Sequence, residues 1–144
     1  MNADLILVPM LAMVLLTAIV WLRSLVVRVG EMRARRVPPR ELSTRAAAAK
    51  VLRNTTASDH FMNLFEMPVL FYVLVMLLWG MDLVDGAQLT LAVVFVALRY
   101  VHSVVHLTYN RVMHRFFFYL ASSLALWAMW GWFAVQLWQR LCVG

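Results

Sequence analysis

The residues of this 144-residue chain that could do chemistry are ionisable side chains inside otherwise apolar stretches. Arg99 and His102 are three residues apart, and Arg111, Arg115 and Tyr119 follow one another at intervals of four. In a helix, each of these spacings places neighbouring members on one face. Because arginine keeps its positive charge in a protein, such a cluster is suited to act on an anionic substrate or cofactor.

A second group of polar residues opens the apolar stretch around residue 60. Asp59, Asn63 and Glu66 are separated by four and then three residues, which places them on one helical face. Glu66 lies about 10 Å along the helix from Asp59 at about 1.5 Å per residue. At that depth in a membrane a carboxylate needs a cation or must take up a proton. The alternative is a structural clamp, in which Asn63 and Glu66 bond neighbouring helices.

Neither a metal site nor a nucleophilic cysteine is predicted. His102 and His106 have the spacing of zinc ligands, but the glutamate of a His-Glu-x-x-His motif and a third ligand are missing. The single cysteine, Cys142, lies near the C-terminus, on the opposite side of the predicted membrane from Arg111 and Arg115. Any chemistry therefore falls to the arginine residues.

The elements that must position these residues are membrane-spanning helices. Apolar residues make up 64% of the chain and charged residues 14%, against roughly 45–50% and about 25% in soluble domains. Four continuous apolar runs are each near the ~20 residues that cross a bilayer as a helix. We therefore predict an all-α integral membrane four-helix bundle, a single domain over residues 1–144. The predicted helices cover about 5–27, 60–81, 88–107 and 116–141.

The net charge of +6 is distributed in a way that predicts topology rather than nucleic-acid binding. Nine of the 13 basic residues lie between Arg23 and Arg53. Because lysine and arginine accumulate on the cytoplasmic side of membrane proteins, the basic connections at 28–58 and 108–115 are predicted to be cytoplasmic. Both termini and the short acidic connection around Asp82 and Asp85 are then outside.

Taken together, the helices and the polar motifs resemble the MAPEG family, the membrane-associated proteins in eicosanoid and glutathione metabolism. The resemblance covers nearly the whole chain. It is carried by Asn63-Leu-Phe-Glu66-Met-Pro68 and by Arg99-x-x-His102-Ser, followed by Arg111-x-x-x-Arg115. It implies a homotrimer in the lipid bilayer that binds glutathione between subunits on the cytoplasmic side, together with a lipophilic small molecule.

The resemblance also implies roles for seven residues. Arg115 matches the arginine proposed to polarise the thiol, Arg111 matches a second arginine, and Tyr119 matches the tyrosine one turn later. These three are the predicted catalytic residues. The predicted glutathione-binding residues are Arg33, Asn63, Glu66 and His102.

Two departures from the family pattern leave two functions open. Asp59 stands where catalytic members have an arginine, and Met62 replaces a basic residue of the prostaglandin-E-forming member. An aspartate in place of arginine reverses the local charge in a site meant for an anion. The chain is accordingly either a glutathione-dependent transferase or peroxidase acting on lipophilic substrates, or a non-catalytic lipid-binding scaffold. A proton-coupled exporter using Glu66 fits the basic connection poorly.

Overall fold

A computed structural model of the chain describes residues 2–35, 56–107 and 112–143. Within these ranges the backbone forms helices and no strand, which confirms the predicted all-α class. The elements are a 3₁₀ turn over Ala3–Ile6 and the α-helices α1 (Leu7–Arg35), α2 (Thr56–Gly80), α3 (Gly86–Leu107) and α4 (Val112–Val143).

Three of these helical segments are long and apolar enough to cross a membrane, and α2 adds a shorter apolar stretch. The long segments are Ala3–Val27, Gly86–Val105 and Met113–Cys142, and the shorter one is Met67–Gly80. Large apolar side chains remain exposed, including Leu11 at 62% and Phe117 at 63%. Such surfaces are costly in water but suit a hydrocarbon environment. The chain is therefore a multi-pass integral membrane protein.

Several helix ends differ from the predicted ones. The helix α1 continues to Arg35 rather than ending near 27, α2 begins at Thr56 rather than 60, and α4 begins at Val112 rather than 116. The predicted connections 28–58 and 108–115 are thus helical at residues 28–35, 56–58 and 112–115, where the helices continue beyond the predicted spans. Hydropathy marks the part of a helix that lies in hydrocarbon, whereas backbone hydrogen bonding continues through arginine, glutamate and methionine, which are good helix formers.

The connection between α2 and α3 is a tight turn that the sequence encodes at both ends. The α2 helix ends in a Schellman arrangement, in which Leu83 N–H donates to the Leu78 carbonyl at 2.9 Å and Asp82 N–H donates to the Trp79 carbonyl at 3.3 Å. This motif needs a left-handed residue, and Asp82 supplies it with φ +55°. Aspartate adopts that conformation more readily than most side chains do.

The α3 helix begins at Gly86, two residues before the predicted start at 88, because Asp85 caps it. Asp85 Oδ1 accepts a hydrogen bond from the Gln88 backbone N–H at 2.7 Å. This bond satisfies one of the backbone donors that every helix N-terminus leaves without an intrahelical acceptor.

Asp85 also joins the connection to α4 through a set of residues that we name the Asp85 network. Trp132 Nε1 and Gln136 Nε2 donate to Asp85 Oδ2 at 2.7 and 3.0 Å. Gln136 Nε2 also donates to the Leu83 carbonyl at 3.1 Å. The Gln88 side chain, which has no exposed surface, donates to Gln136 Oε1 at 3.1 Å. The network comprises Asp85, Gln88, Trp132 and Gln136.

The chain divides into two compact units, Met1–Leu15 with Glu66–Gly144, and Leu16–Phe65. In the first unit, Phe71 of α2 stacks on Phe95 of α3 with ring centroids 4.6 Å apart. The Tyr100 hydroxyl donates to the Ala12 carbonyl of α1 at 2.7 Å. Between described elements, the most extensive packing is that of α3 against α4. The second unit holds the later part of α1 and the first part of α2. The assignment of residues 1–144 to a single domain stays a prediction.

Candidate functional site

The site described by the structure lies where the later turns of α3 meet the first turns of α4. The α3 helix contributes Arg99 and His102, and α4 contributes Arg115 and Tyr119. We call these four residues the α3–α4 cluster. In each helix the two members are about one turn apart, since a turn takes 3.6 residues. The helical spacing noted in the sequence therefore brings each pair onto the face that contacts the other helix.

Arg99 is the most buried charged residue among those whose side chains the structure describes, with 1% of its surface exposed. Its guanidinium carbon lies 5.8 Å from the centre of the Tyr119 ring. At this distance the ring's π-electrons attract a cation, and the attraction grows when water is excluded. Arg99 thus contacts the face of the Tyr119 ring across the helix interface.

His102 links the two helices one turn further along α3. It is 3% exposed, and its Nδ1 lies 3.1 Å from the backbone carbonyl oxygen of Arg115. Because a carbonyl only accepts hydrogen bonds, Nδ1 carries the proton in this contact. The His102 ring also lies 6.3 Å from the Tyr119 ring, centre to centre.

Arg115 and Tyr119 are the more accessible members of the cluster, and both are half-buried. The backbone around Tyr119 is further fixed because the hydroxyls of Ser122 and Ser123 donate to its carbonyl at 2.8 and 2.9 Å. The arrangement therefore places the half-buried Arg115 and Tyr119 on adjacent turns of α4, with the Arg99 guanidinium against the Tyr119 ring. Such a set of groups can bind and stabilise an anion.

The structure brings together three of the seven predicted site residues, namely His102, Arg115 and Tyr119. Arg33 lies exposed on α1, in the second unit. Asn63 and Glu66 are helical residues of α2 whose side chains lie outside the described part of the structure, and Arg111 lies outside it altogether. Their predicted roles stay predictions.

Arg99 is the member of the cluster that is not among the seven predicted site residues, although its spacing from His102 places it on the same helical face. A usable signal was present, because an arginine inside a membrane helix is rare and normally functional. The same rule applies to Gln88 and Gln136, two polar residues within apolar runs that form part of the Asp85 network.

Comparison with known proteins identifies the family. No curated protein and no solved structure matches the chain. The sequence model of the MAPEG family matches residues 6–135 of the 144, a span that contains the whole α3–α4 cluster. The match agrees with the membrane helices and with the motifs on α2, α3 and α4, and the chain belongs to the MAPEG family.

Proposed function

We propose that this protein is a glutathione-dependent transferase or peroxidase that acts on lipophilic substrates. MAPEG members include glutathione transferases and peroxidases. The observation that carries the proposal is the α3–α4 cluster, in which the half-buried Arg115 precedes Tyr119 by one turn and Arg99 lies against the Tyr119 ring. This concentration of positive charge beside a phenol suits a thiolate.

The groups of the cluster fit glutathione as a ligand. Arg115 and Tyr119 are half-buried, whereas the 1%-exposed Arg99 lies against the Tyr119 ring. By resemblance to the family, Arg33, Asn63, Glu66 and His102 contribute to holding the peptide. His102 is 3% exposed and contacts the Arg115 backbone, so its contribution is indirect. Cationic and amide groups among these residues match its carboxylates and peptide bonds, and the Glu66 carboxylate matches its amino group.

Glutathione supplies a thiol whose thiolate form attacks an electrophilic carbon or a peroxide oxygen. The Arg115 guanidinium stabilises that negative charge, because arginine stays protonated and the site is partly sheltered from water. Tyr119 donates its hydroxyl hydrogen bond to the same anion or to the oxygen that leaves the substrate. By resemblance, Arg111 adds a second positive charge.

The proposal includes the setting of the site. By resemblance, three copies form a homotrimer with glutathione between subunits, and the lipophilic small molecule enters from the lipid bilayer. The distribution of lysine and arginine supports a cytoplasmic basic connection and both termini outside. The α3–α4 cluster then opens towards the cytoplasm, where glutathione is available.

We expect the purified protein to bind glutathione and to hold its sulfur as thiolate at pH 7. The measurement is the ultraviolet difference absorbance of the thiolate, combined with calorimetric titration. S-methylglutathione, which has no ionisable thiol, is the matched control and should bind without the absorbance. If glutathione produces neither heat nor thiolate absorbance, the proposed function is wrong.

The non-catalytic lipid-binding scaffold is a second candidate function, favoured by Asp59 and Met62. We expect Asp59→Arg to tighten glutathione binding several-fold, because by resemblance it restores the positive charge that catalytic members carry at this position for an anionic ligand. Asp59→Asn removes half of that charge difference and should give an intermediate dissociation constant.

Asp82→Asn, the same neutralisation at an exposed residue of the α2–α3 connection, serves as the control and should leave binding unchanged. If both Asp59 variants bind glutathione no better than the parent, the charge at Asp59 is not what limits binding. In that case the scaffold function becomes the favoured one.

A further inference from the structure

We propose that α3 acts as a two-point clamp that positions the reactive residues of α4. One point is the contact of Arg99 with Tyr119, and the other is the contact of His102 with the Arg115 backbone. In this inference, which rests on the proposed function, Arg99 and His102 are positioning residues that act through Tyr119 and Arg115.

The two contacts lie on successive turns and fix the register between the helices. Arg99 contacts Tyr119, and His102 contacts Arg115. Arg99 precedes His102 along α3, whereas Tyr119 follows Arg115 along α4. This crossed order is that of an antiparallel helix pair. A slip by one turn, about 5.4 Å, would break both contacts at once.

The two clamp residues of α3 are more deeply buried than the two residues of α4 that they contact. Arg99 is 1% exposed and His102 is 3% exposed, whereas Arg115 and Tyr119 are half-buried. A ligand entering the site therefore reaches the α4 residues first. Burying an arginine in a membrane helix is costly, and the position of its charge behind the Tyr119 ring gives a reason for its presence.

Each clamp contact holds the part of its target that does not react. Arg99 contacts the face of the Tyr119 ring, and a cation over the ring does not occupy the phenolic oxygen. His102 bonds the main-chain carbonyl of Arg115 rather than its guanidinium. The clamp thus restricts the ring and the backbone while neither contact uses the hydroxyl or the guanidinium needed for chemistry.

A double-mutant cycle tests the Arg99 contact. With glutathione and a chloronitrobenzene as substrates, we expect Arg99→Met to lower kcat about tenfold through misplacement of Tyr119, with KM for glutathione nearly unchanged. In a Tyr119→Phe background the hydroxyl is already absent, so Arg99→Met should change kcat by less than about twofold. An equal loss in both backgrounds would show that Arg99 does not act through Tyr119.

The His102 contact is tested by a conservative rescue. His102→Leu removes the hydrogen-bond donor to the Arg115 carbonyl and should lower kcat about tenfold. His102→Gln keeps an N–H donor and should recover most of the loss. If glutamine is no better than leucine, or if neither variant lowers kcat, this point of the clamp is wrong.

A readout without glutathione separates the clamp from the proposed function. We expect Arg99→Met to shift the ¹⁹F resonance of 3-fluorotyrosine placed at position 119, because the cation over the ring is lost. Arg23→Met, the same substitution at an exposed site on α1, should leave the resonance unchanged. If the Arg99→Met protein does not fold, Arg99→Lys should give a smaller shift.

These outcomes are distinguishable. If the ¹⁹F resonance at position 119 does not shift in an Arg99 variant that folds, the clamp is contradicted, whether or not that variant is active as an enzyme. A shifted resonance in a protein that forms no thiolate supports the clamp and contradicts the proposed enzyme.

Discussion

Replacing Arg115 with methionine should lower thiol-dependent kcat/KM by about 10²–10³-fold, the loss typical of removing one preorganised charge-stabilising group. Methionine keeps an unbranched, flexible side chain of similar length and a good helix propensity, so the first turns of α4 should persist. Arg115 is half-buried, and water can partly replace it there. The measurement is steady-state kinetics with glutathione and either a chloronitrobenzene or an organic hydroperoxide, accompanied by helical circular dichroism.

Two further variants sharpen this prediction. Arg115→Lys keeps the charge but loses the planar guanidinium, so its activity should lie between those of the parent and the methionine variant. Arg23→Met, at an exposed position of α1, should retain full activity. A fully active Arg115→Met protein would exclude Arg115 as the group that stabilises the thiolate.

The membrane helices and the faces of α3 and α4 could be predicted from the sequence because both depend on local patterns. A run of about 20 apolar residues fixes a spanning helix, and spacings of three and four fix a shared face. Arg99 and His102 were expected on one face, and both are buried against α4. The family match over residues 6–135 confirms the resemblance that rested on these same motifs.

The helix ends could not be predicted from apolarity alone. The apolar run begins at Phe116 and therefore predicts a connection at Arg115, yet Arg115 lies in the first turns of α4. This difference matters for the site, since only a helical Arg115 is one turn from Tyr119. Helix formation depends on backbone bonding and propensity, which continue where hydropathy falls.

The contacts between helices could not be predicted from the sequence either, because they depend on the register between the two helices. Nothing in the local pattern around Arg99 indicates that Tyr119 lies opposite it rather than a residue one turn away. The sequence likewise predicts that the acidic connection is short. It does not predict that Asp85 of this connection accepts hydrogen bonds from Trp132 and Gln136 of α4. These hydrogen bonds form only when α3 packs against α4, and a single sequence does not show how two helices pack.

Asp85→Asn should lower the free energy of unfolding by about 2–3 kcal/mol, because hydrogen bonds to a charged acceptor contribute about 1.5–3 kcal/mol each. Asparagine caps helices as well as aspartate does, so the bond to the Gln88 N–H can persist. In the parent, Asp85 Oδ2 accepts hydrogen bonds from Trp132 and Gln136 at 2.7 and 3.0 Å. In the variant the amide nitrogen of asparagine, itself a donor, would face these two donors. The measurement is equilibrium unfolding in mixed micelles.

The matched control is Asp82→Asn, the same change three residues earlier in the same connection. Asp82 is exposed, and asparagine tolerates its left-handed backbone, so stability should change by less than about 0.5 kcal/mol. Trp132→Phe removes one donor to Asp85, and in that background Asp85→Asn should cost less than it does alone.

If Asp85→Asn unfolds like the parent, or if Asp82→Asn loses as much stability, the Asp85 network does not hold α3 against α4. Gln88 precedes Arg99 by about 16 Å along α3 at about 1.5 Å per residue, so the network and the clamp act on different turns of the same helix pair. A loss of stability without a loss of kcat at temperatures where Asp85→Asn remains folded would show that the two ends of this pair have separate roles.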